Sequence, residues 1–228
     1  ASTIGTIVGI VLTFGTSHLI EGRQEAARER HIALMVIHDI DNYCDLVEST
    51  VKELEEIDSI NDFILDYVSE DSVEIADSTL EFFDENLFVL KDWTYNSTTQ
   101  NIFNSNIEIW QDVSDKNFIV YTGICFDLMS AIEKEKEKYI SCMDQAFVSY
   151  VTNVEPVLTD ETSLRQDIQR TIQEADVELA LRHLSSCLTI YKNRLDFIRR
   201  FNENNKKIMN ISDEELRAIF QGGNYLTI

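Results

Sequence analysis

The histidines are the first side chains to test for chemistry, because imidazole is a common metal ligand and titrates near neutral pH. None of the four has a glutamate three residues before it, so the Glu-x-x-His pattern of a di-iron bundle is absent. His31 and His38 share a helix face but stand two turns, about 10 Å, apart, which is too far for one shared ion. We expect ordinary hydrogen bonding at both; a weak polar site of His38 with Asp41 and Asn42, and a pH response, are the alternatives.

Short motifs for the commoner catalytic mechanisms are absent from the sequence. There is no phosphate-binding glycine loop, no HExxH and no GxSxG, and seven glycines leave little room for a degenerate version. The aromatic cluster of Phe82, Phe83, Phe88 and Trp93 is expected to be core, with a ligand pocket as the alternative. We therefore predict no catalytic residue, no cofactor and no metal ligand, and we expect that the protein is not an enzyme.

The net charge argues against anionic partners. Forty-one acidic residues against 19 basic ones give a formal charge of −22. Such a surface repels the phosphate backbone of nucleic acids and anionic lipid headgroups. We expect the excess acidic residues to form a solvated surface that keeps the domain soluble. Recognition of a basic partner is the alternative.

The four cysteines are spaced too widely for a zinc site, which needs closely spaced ligands. Cys44, Cys125 and Cys142 fall on apolar helical stripes, and Cys187 lies beside another. We expect buried thiols that pack as small hydrophobic side chains, with disulfides as the alternative.

Residues 1–20 are predicted to form a transmembrane helix. The stretch Ser2–Ile20 has no Asp, Glu, Lys or Arg, and its nineteen residues span about 28 Å as a helix, close to the roughly 30 Å hydrocarbon core. A cleaved signal peptide would begin with basic residues and end in a small-residue cleavage site, and this segment shows neither. A buried core helix is the alternative, because the segment is rich in threonine and only moderately hydrophobic.

Small and hydroxyl side chains form one stripe along this helix. They recur in steps of four and three residues, and Gly5 with Gly9 forms a GxxxG pattern. Small residues let helices approach closely in lipid, so the stripe predicts a helix–helix interface and a homo-oligomer. A narrow pore lined by threonine in a ring of such helices is the alternative. The stripe consists of Ser2, Thr6, Gly9, Thr13 and Thr16.

A charged neck, residues 21–36, follows the predicted span. The segment LTFGTSHLIEGRQ and its continuation EGRQEAARERHIALMVIHDIDNYCDLVEST resemble the N-terminal region of uncharacterised single-pass membrane proteins of gut Bacteroidetes. This resemblance implies a bacterial inner-membrane location and transfers no activity. Arg23, Arg28 and Arg30 lie close to the predicted membrane surface, so by the positive-inside rule the bundle is expected in the cytoplasm.

Residues 37–228 are predicted to form one acidic helical bundle, which makes the fold class all-α. A single proline and seven glycines leave few turns, and this favours long helices. Apolar residues alternate in steps of three and four along three segments, which predicts an antiparallel bundle of about four helices. These stripes cover Ile37–Leu54, Phe118–Ala146 and Val177–Ile198, and the first is expected to continue the membrane helix unbroken to about Leu65.

Three local features of the bundle are also predicted. A second helical segment should run over Val73–Trp93. The alternating charges of Glu133–Lys138 should be exposed on a solvated helix surface. A last short helix should begin with a capping box of Ser212 and Glu215 and stop at Gly222–Gly223.

These features predict a membrane-anchored helical interaction or sensory module without catalytic activity, which self-associates through its membrane helix. Its expected contacts are membrane lipid, further copies of the chain and a protein partner on the bundle, but no nucleic acid. A channel-forming or membrane-perturbing homo-oligomer with a threonine-lined pore is the alternative function.

Overall fold

The computed structural model describes residues 2–70, 72–105, 110, 113, 115–155 and 163–220, with side chains from residue 27 onward. Within these ranges the chain is an all-helical bundle without strands. Seven α-helices are described there, three of them long and four of ten residues or fewer, where the sequence predicts about four. They are α1 (Ser2–Tyr67), α2 (Asp77–Asn86), α3 (Thr98–Ser105), α4 (Lys116–Ser149), α5 (Leu164–Gln173), α6 (Ala175–Met209) and α7 (Asp213–Phe220), and a π-helical turn, Tyr150–Val154, follows α4.

Helix α1 is one uninterrupted helix of 66 residues, so the predicted continuation to about Leu65 is confirmed. Among the residues that the structure describes, none of the helices combines the length and the apolar character of a membrane span. The predicted span, residues 1–20, lies outside the residues whose side chains are described.

The carboxyl end of α1 is capped by Arg165 of α5. Its guanidinium donates hydrogen bonds to the carbonyls of Tyr67, Val68, Glu70 and Val73 at 3.3, 3.0, 2.6 and 2.9 Å. The last carbonyls of a helix have no partner within it, and a cation at that end also interacts favourably with the helix dipole. Together with Gln169, whose Nε2 group donates to the Val68 carbonyl at 2.6 Å, Arg165 holds the chain segment that follows α1.

A capping box positions Arg165 for this role. Ser163, the N-cap of α5, accepts a hydrogen bond from the backbone N–H of Gln166, and the Gln166 side chain accepts one from the Ser163 N–H. The two bonds satisfy two backbone donors of the first turn. Helix α5 therefore begins directly after Ser163.

Two compact units make up the chain. The first comprises Ala1–Asp41, Asn96–Ile124 and Phe201–Ile228, and the second comprises Asn42–Tyr95 and Cys125–Arg200. Within the second unit α4 and α6 are antiparallel. Arg194 donates to the carbonyl of Ala131 at 2.6 Å, whereas Ser149 at the far end of α4 donates to Asp176 at 2.8 Å.

The predicted apolar stripes form the core. The apolar residues that recur in steps of three and four from Ile37 to Leu54 and from Val177 to Ile198 are all buried. Along α4 the stripe is buried except at Tyr121, Leu128 and Cys142, which are half-buried. Full burial of a Val, Leu or Ile side chain contributes roughly 1.5–3 kcal/mol, so these stripes supply much of the stability. The buried positions are Ile37, Ile40, Cys44, Val47, Val51, Leu54, Phe118, Cys125, Ile132, Tyr139, Ala146, Val177, Leu181, Leu184, Leu188, Tyr191, Leu195 and Ile198.

The cysteines are thiols that pack in the core. Cys44, Cys125 and Cys187 are buried and Cys142 is half-buried, and no disulfide occurs in the part of the chain that the structure describes. Burial raises the pKa of the Cys187 thiol to about 11, with the nearby charge of Glu135 as a second cause. This thiol is therefore protonated at neutral pH.

The predicted second helix, Val73–Trp93, is wrong at both ends. Helix α2 covers only Asp77–Asn86, and residues 87–97 are non-helical. Trp93 is buried in this segment; its indole N–H donates to Glu133 at 2.6 Å and its carbonyl accepts from Lys136 at 2.7 Å. Tertiary contacts of this kind override local helix propensity.

The predicted exposure of the charged run Glu133–Lys138 is wrong for Lys136, which is only 9% exposed. Its ammonium contacts Glu133 at 2.9 Å and Asp92 at 3.0 Å, and lies 4.8 Å from the centre of the Trp93 ring. Burial lowers the pKa of Lys136, but the hydrogen bonds to Glu133 and Asp92 outweigh that effect and raise it. Lys136 is thus a buried cation that holds residues 92–93 against α4.

Candidate functional site at the neck

Helix α6 ends in a Schellman motif. Asn210 has a left-handed φ of 50°. Its N–H bonds to the carbonyl of Lys207 at 3.3 Å, and the N–H of Ile211 bonds to the carbonyl of Lys206 at 2.9 Å. Asparagine adopts this conformation more readily than most residues. The motif leaves the carbonyls of Met209 and Asn210 available to a donor from elsewhere in the chain.

Arg30 of the predicted neck supplies that donor. Its guanidinium donates to the carbonyls of Met209 and Asn210 at 2.9 and 3.2 Å, and to both carboxylate oxygens of Glu215 at 2.8 and 2.7 Å. Several donors fixed in one plane suit a guanidinium to this task. The four residues Arg30, Met209, Asn210 and Glu215 are termed the Arg30 clamp.

Solvent weakens the ion pair of the Arg30 clamp. The side chains of Arg30 and Glu215 are 40% and 31% exposed, so water and salt screen their charges. The clamp therefore contributes mainly through its directed hydrogen bonds, which fix one position of α1 against the end of α6.

The predicted capping box of α7 is only half formed. Ser212 accepts a hydrogen bond from the backbone N–H of Glu215 at 3.2 Å, as expected. The Glu215 carboxylate, which in a capping box would return to the Ser212 backbone, binds Arg30 instead. The predicted stop at Gly222–Gly223 lies outside the described residues.

Lys206 is a buried cation one turn before the Arg30 clamp. Its ammonium contacts Asp41 at 2.9 Å, Glu203 at 2.7 Å and Asp213 at 2.9 Å, although the residue is only 8% exposed. Burial lowers the pKa of Lys206, but the hydrogen bonds to the three carboxylates outweigh it and raise the pKa. The hydrogen bond from Lys206 also lowers the pKa of Asp213. Helices α1, α6 and α7 thus meet at one charged group.

Two asparagines of α6 extend these polar contacts into the core of the first unit. The Nδ2 group of Asn202 donates to the carbonyl of Ile37 at 3.0 Å and to Asp41 at 2.8 Å, and that of Asn205 donates to the Thr122 hydroxyl at 3.1 Å. Both asparagines are buried, and their amide oxygens have no hydrogen-bond partner in the described part of the chain. This layer of the core therefore contains polar side chains, and two of their amide oxygens lack a hydrogen-bond partner there.

His38 packs against an aromatic ring. Its imidazole stacks on Phe220 of α7 with ring centroids 3.8 Å apart and planes 9° apart. Burial lowers the pKa of His38 and outweighs the opposing charges of Asp39 and Asp41. The neighbouring Asp39 accepts a hydrogen bond from Thr99. In the described ranges, no group of three or more His, Cys, Asp or Glu side chains is arranged to hold a metal ion.

An open pocket of about 680 Å³ lies beside the clamp and the start of α7. Three basic and four acidic side chains line it, and several of them already bind each other. Its mixed charges therefore favour neither an anion nor a cation. The lining residues are Arg30, Glu203, Lys206, Lys207, Asn210, Ile211, Ser212, Asp213, Glu214 and Glu215.

The predicted site residues divide into two groups. Arg30 lies in the clamp and Arg28 is exposed. Arg23 and the predicted membrane stripe lie outside the residues whose side chains are described, so interface and pore both stay predictions. The stripe comprises Ser2, Thr6, Gly9, Thr13 and Thr16.

Sequence reasoning missed the roles of Lys206, Asn210 and Glu215. A usable signal was present, because an asparagine that follows lysines in a last helical turn is typical of a helix C-terminus. The partners that bind Lys206 and Glu215 across the fold left no local signal.

The fold and these contacts place the chain in the class of all-helical bundle proteins. Comparison with protein-family models, with curated proteins and with solved structures gives no significant match. The function is therefore inferred from the residues and contacts described above.

Proposed function

We propose that the protein is a membrane-anchored helical interaction or sensory module without catalytic activity. In this proposal residues 1–20 span a bacterial inner membrane and residues 21–36 form a neck. The helical domain, residues 37–228, forms an antiparallel bundle that recognises a partner in the cytoplasm. Self-association occurs through the stripe that contains Gly9 and Thr13.

One observation carries this proposal. Helix α1 runs from Ser2 to Tyr67 without a break, and its neck is held by the Arg30 clamp. A continuous helix transmits rotation or displacement along its length, whereas a flexible linker would absorb it. A change in the packing of α6 and α7 would therefore reach the predicted membrane segment through α1.

The chemistry of the clamp suits a switch. Hydrogen bonds of partly exposed groups can be exchanged for water at small cost, whereas a buried apolar seam cannot be opened so cheaply. The polar layer of Asn202 and Asn205, with its unsatisfied amide oxygens, also lowers the cost of repacking α6. These features support two arrangements of the neck that differ by a small free energy.

Molar mass by light scattering in detergent tests self-association. We expect the full chain to form a defined oligomer, and Gly9→Ile to weaken association while helix content stays unchanged. Val11→Ile is the control, because it adds only one methylene group and Val11 does not belong to the stripe. It should leave the molar mass unchanged. A monomeric full chain, or equal masses for both variants, would contradict the proposed self-association.

A second test addresses coupling through the neck. Arg30→Gln should shift the monomer–oligomer equilibrium of the full chain, because the clamp then no longer fixes α1. The exposed Arg28→Gln removes the same charge nearby and serves as the control. Equal equilibria for Arg30→Gln and the unmodified chain would contradict a sensory role for the clamp.

A further inference from the structure

One edge of the second unit exposes an unusual amount of apolar surface. Val148 at the end of α4 is 63% exposed, and its neighbours Phe147 and Val151 are also exposed. Val89 and Leu90, in the non-helical segment after α2, are exposed as well. These residues together with the half-buried Phe88 are termed the aromatic edge.

Ring contacts join the two segments of the aromatic edge. The Phe88 ring lies 5.3 Å from that of Phe147 and 5.2 Å from that of Tyr150, measured between ring centroids. Val151 stands three residues from Val148 and four residues from Phe147, so it neighbours both side chains on the helix surface. Contiguous exposed apolar residues of this kind mark interaction sites.

The border of the aromatic edge is acidic. Burial raises the pKa of Tyr150, and so do the charges of Asp84, Glu155 and Asp167 around it. Burial, Asp167 and Glu85 likewise raise the pKa of Asp84. From residue 139 to residue 163 the chain contains no lysine or arginine. Lys91, which follows Leu90, is already paired with Glu53 at 3.2 Å. A ligand that covers Phe147 and Val148 therefore meets apolar side chains whose neighbouring charges are mainly carboxylates.

We propose that the aromatic edge binds a basic amphipathic helical segment of another protein. The apolar face of that segment covers Phe147 and Val148, and its lysines or arginines reach Asp84 and Glu155. This inference rests on the proposed function, because it names the class of partner that the bundle recognises. Charge complementarity selects this occupant: a second copy of the chain brings the same acidic border, and an anionic membrane surface is repelled.

Fluorescence anisotropy tests the inference with the full chain in zwitterionic nanodiscs and empty nanodiscs as the blank. The probe is a labelled amphipathic peptide of leucine and lysine, about 18 residues long. The same pattern with glutamate in place of lysine is the charge-reversed probe. Val148→Asp tests the apolar contact, and Leu179→Asp is the matched control, because Leu179 is 61% exposed on α6.

We expect the lysine peptide to bind and Val148→Asp to weaken binding by about tenfold or more, while Leu179→Asp changes it by less than about twofold. Either substitution adds a negative charge, so a purely electrostatic attraction would be strengthened by both. Asp84→Asn together with Glu155→Gln should weaken binding and reduce its dependence on salt.

Several outcomes would overturn the inference. Equal loss in Val148→Asp and Leu179→Asp would show apolar adsorption that is not confined to the aromatic edge, and binding of the glutamate peptide would contradict the charge argument. If Val148→Asp abolishes self-association, the aromatic edge binds a second copy of the chain instead. If the unmodified chain binds anionic vesicles and Val148→Asp does not, the edge binds a membrane. If the peptide does not bind but the chain still self-associates through Gly9, this inference alone is overturned. The proposed membrane anchor and oligomer are then unaffected.

Discussion

Arg30 and Glu215 are 185 residues apart in sequence, yet the Nη2 group of Arg30 donates to both carboxylate oxygens of Glu215 at 2.8 and 2.7 Å. The same guanidinium closes the end of α6 through the carbonyls of Met209 and Asn210. An arginine predicted to lie at a membrane surface is thereby part of the tertiary structure. Its loss should affect folding stability as well as the position of the neck.

A double-mutant cycle measures the Arg30–Glu215 pair. We expect a coupling free energy of about 0.5–1 kcal/mol between Arg30→Gln and Glu215→Gln, because both side chains are partly exposed. Arg30→Gln alone should cost more, about 1–2 kcal/mol, since it also removes donors from two carbonyls. Urea unfolding of the full chain in detergent measures both values, and strictly additive effects would contradict a direct contact.

Lys206→Met should destabilise the protein at neutral pH by about 1–3 kcal/mol. It leaves Asp41, Glu203 and Asp213 without their shared cation, but Glu203 and Asp213 are 53% and 54% exposed, so water solvates their carboxylates and limits the cost. The folded pKa of Asp213 is lowered, so its contribution is present above the unfolded pKa and is lost as pH falls through the folded pKa. The gap in melting temperature between the variant and the unmodified chain should therefore narrow in acid; a constant gap would contradict this pairing.

Asp58 should make the protein more stable in mild acid than at neutral pH. Burial, and next the charge of Asp62, raises the pKa of Asp58 to about 6, and its Oδ1 atom is buried without a partner among the described residues. Because the folded pKa exceeds the unfolded value, the folded state binds the proton more tightly and gains stability as pH falls through about 6.

Asp58→Asn should raise the melting temperature at pH values above about 7, where the carboxylate is charged, and remove this part of the pH dependence. Asp66→Asn changes an exposed aspartate about two turns further along the same helix, which is not among the causes of this shift; it is the comparison and should keep the dependence. An unchanged pH profile in Asp58→Asn would show that another group titrates.

Glu133 is the acceptor that holds Trp93 in place. It accepts from the Trp93 indole at 2.6 Å and from the Tyr43 hydroxyl at 2.9 Å, and it pairs with Lys136 at 2.9 Å. Glu133→Ala leaves the Trp93 indole without this acceptor and removes one partner each from Tyr43 and Lys136, which keep the Met129 carbonyl and Asp92. It should cost about 2–4 kcal/mol, with a red shift of tryptophan emission. Glu133→Gln keeps an acceptor and should cost less; equal losses for both variants would contradict the hydrogen-bonding role.

The long helices could be predicted from the sequence, because the apolar stripes repeat with the helical period over many turns. The continuity of α1 and the burial of Ile37 and Ile198 follow from that period alone. Lys136 could not be predicted, because a run of alternating charge is typical of a solvated surface and its partner Trp93 lies 43 residues away. For the same reason Glu215 was predicted to complete a local capping box, although its carboxylate binds Arg30 across the fold.

Extraction of membranes with alkaline carbonate tests the central claim, that residues 1–20 anchor the chain. The full chain is compared with an Ile7→Asp and Val11→Asp double variant, which places two charges in the predicted span at a cost of roughly 2.5–3.5 kcal/mol each. We predict that the unmodified chain stays in the membrane pellet and that the double variant is released into the supernatant. Release of the unmodified chain to the same extent as the variant would contradict a transmembrane anchor and, with it, the proposed function.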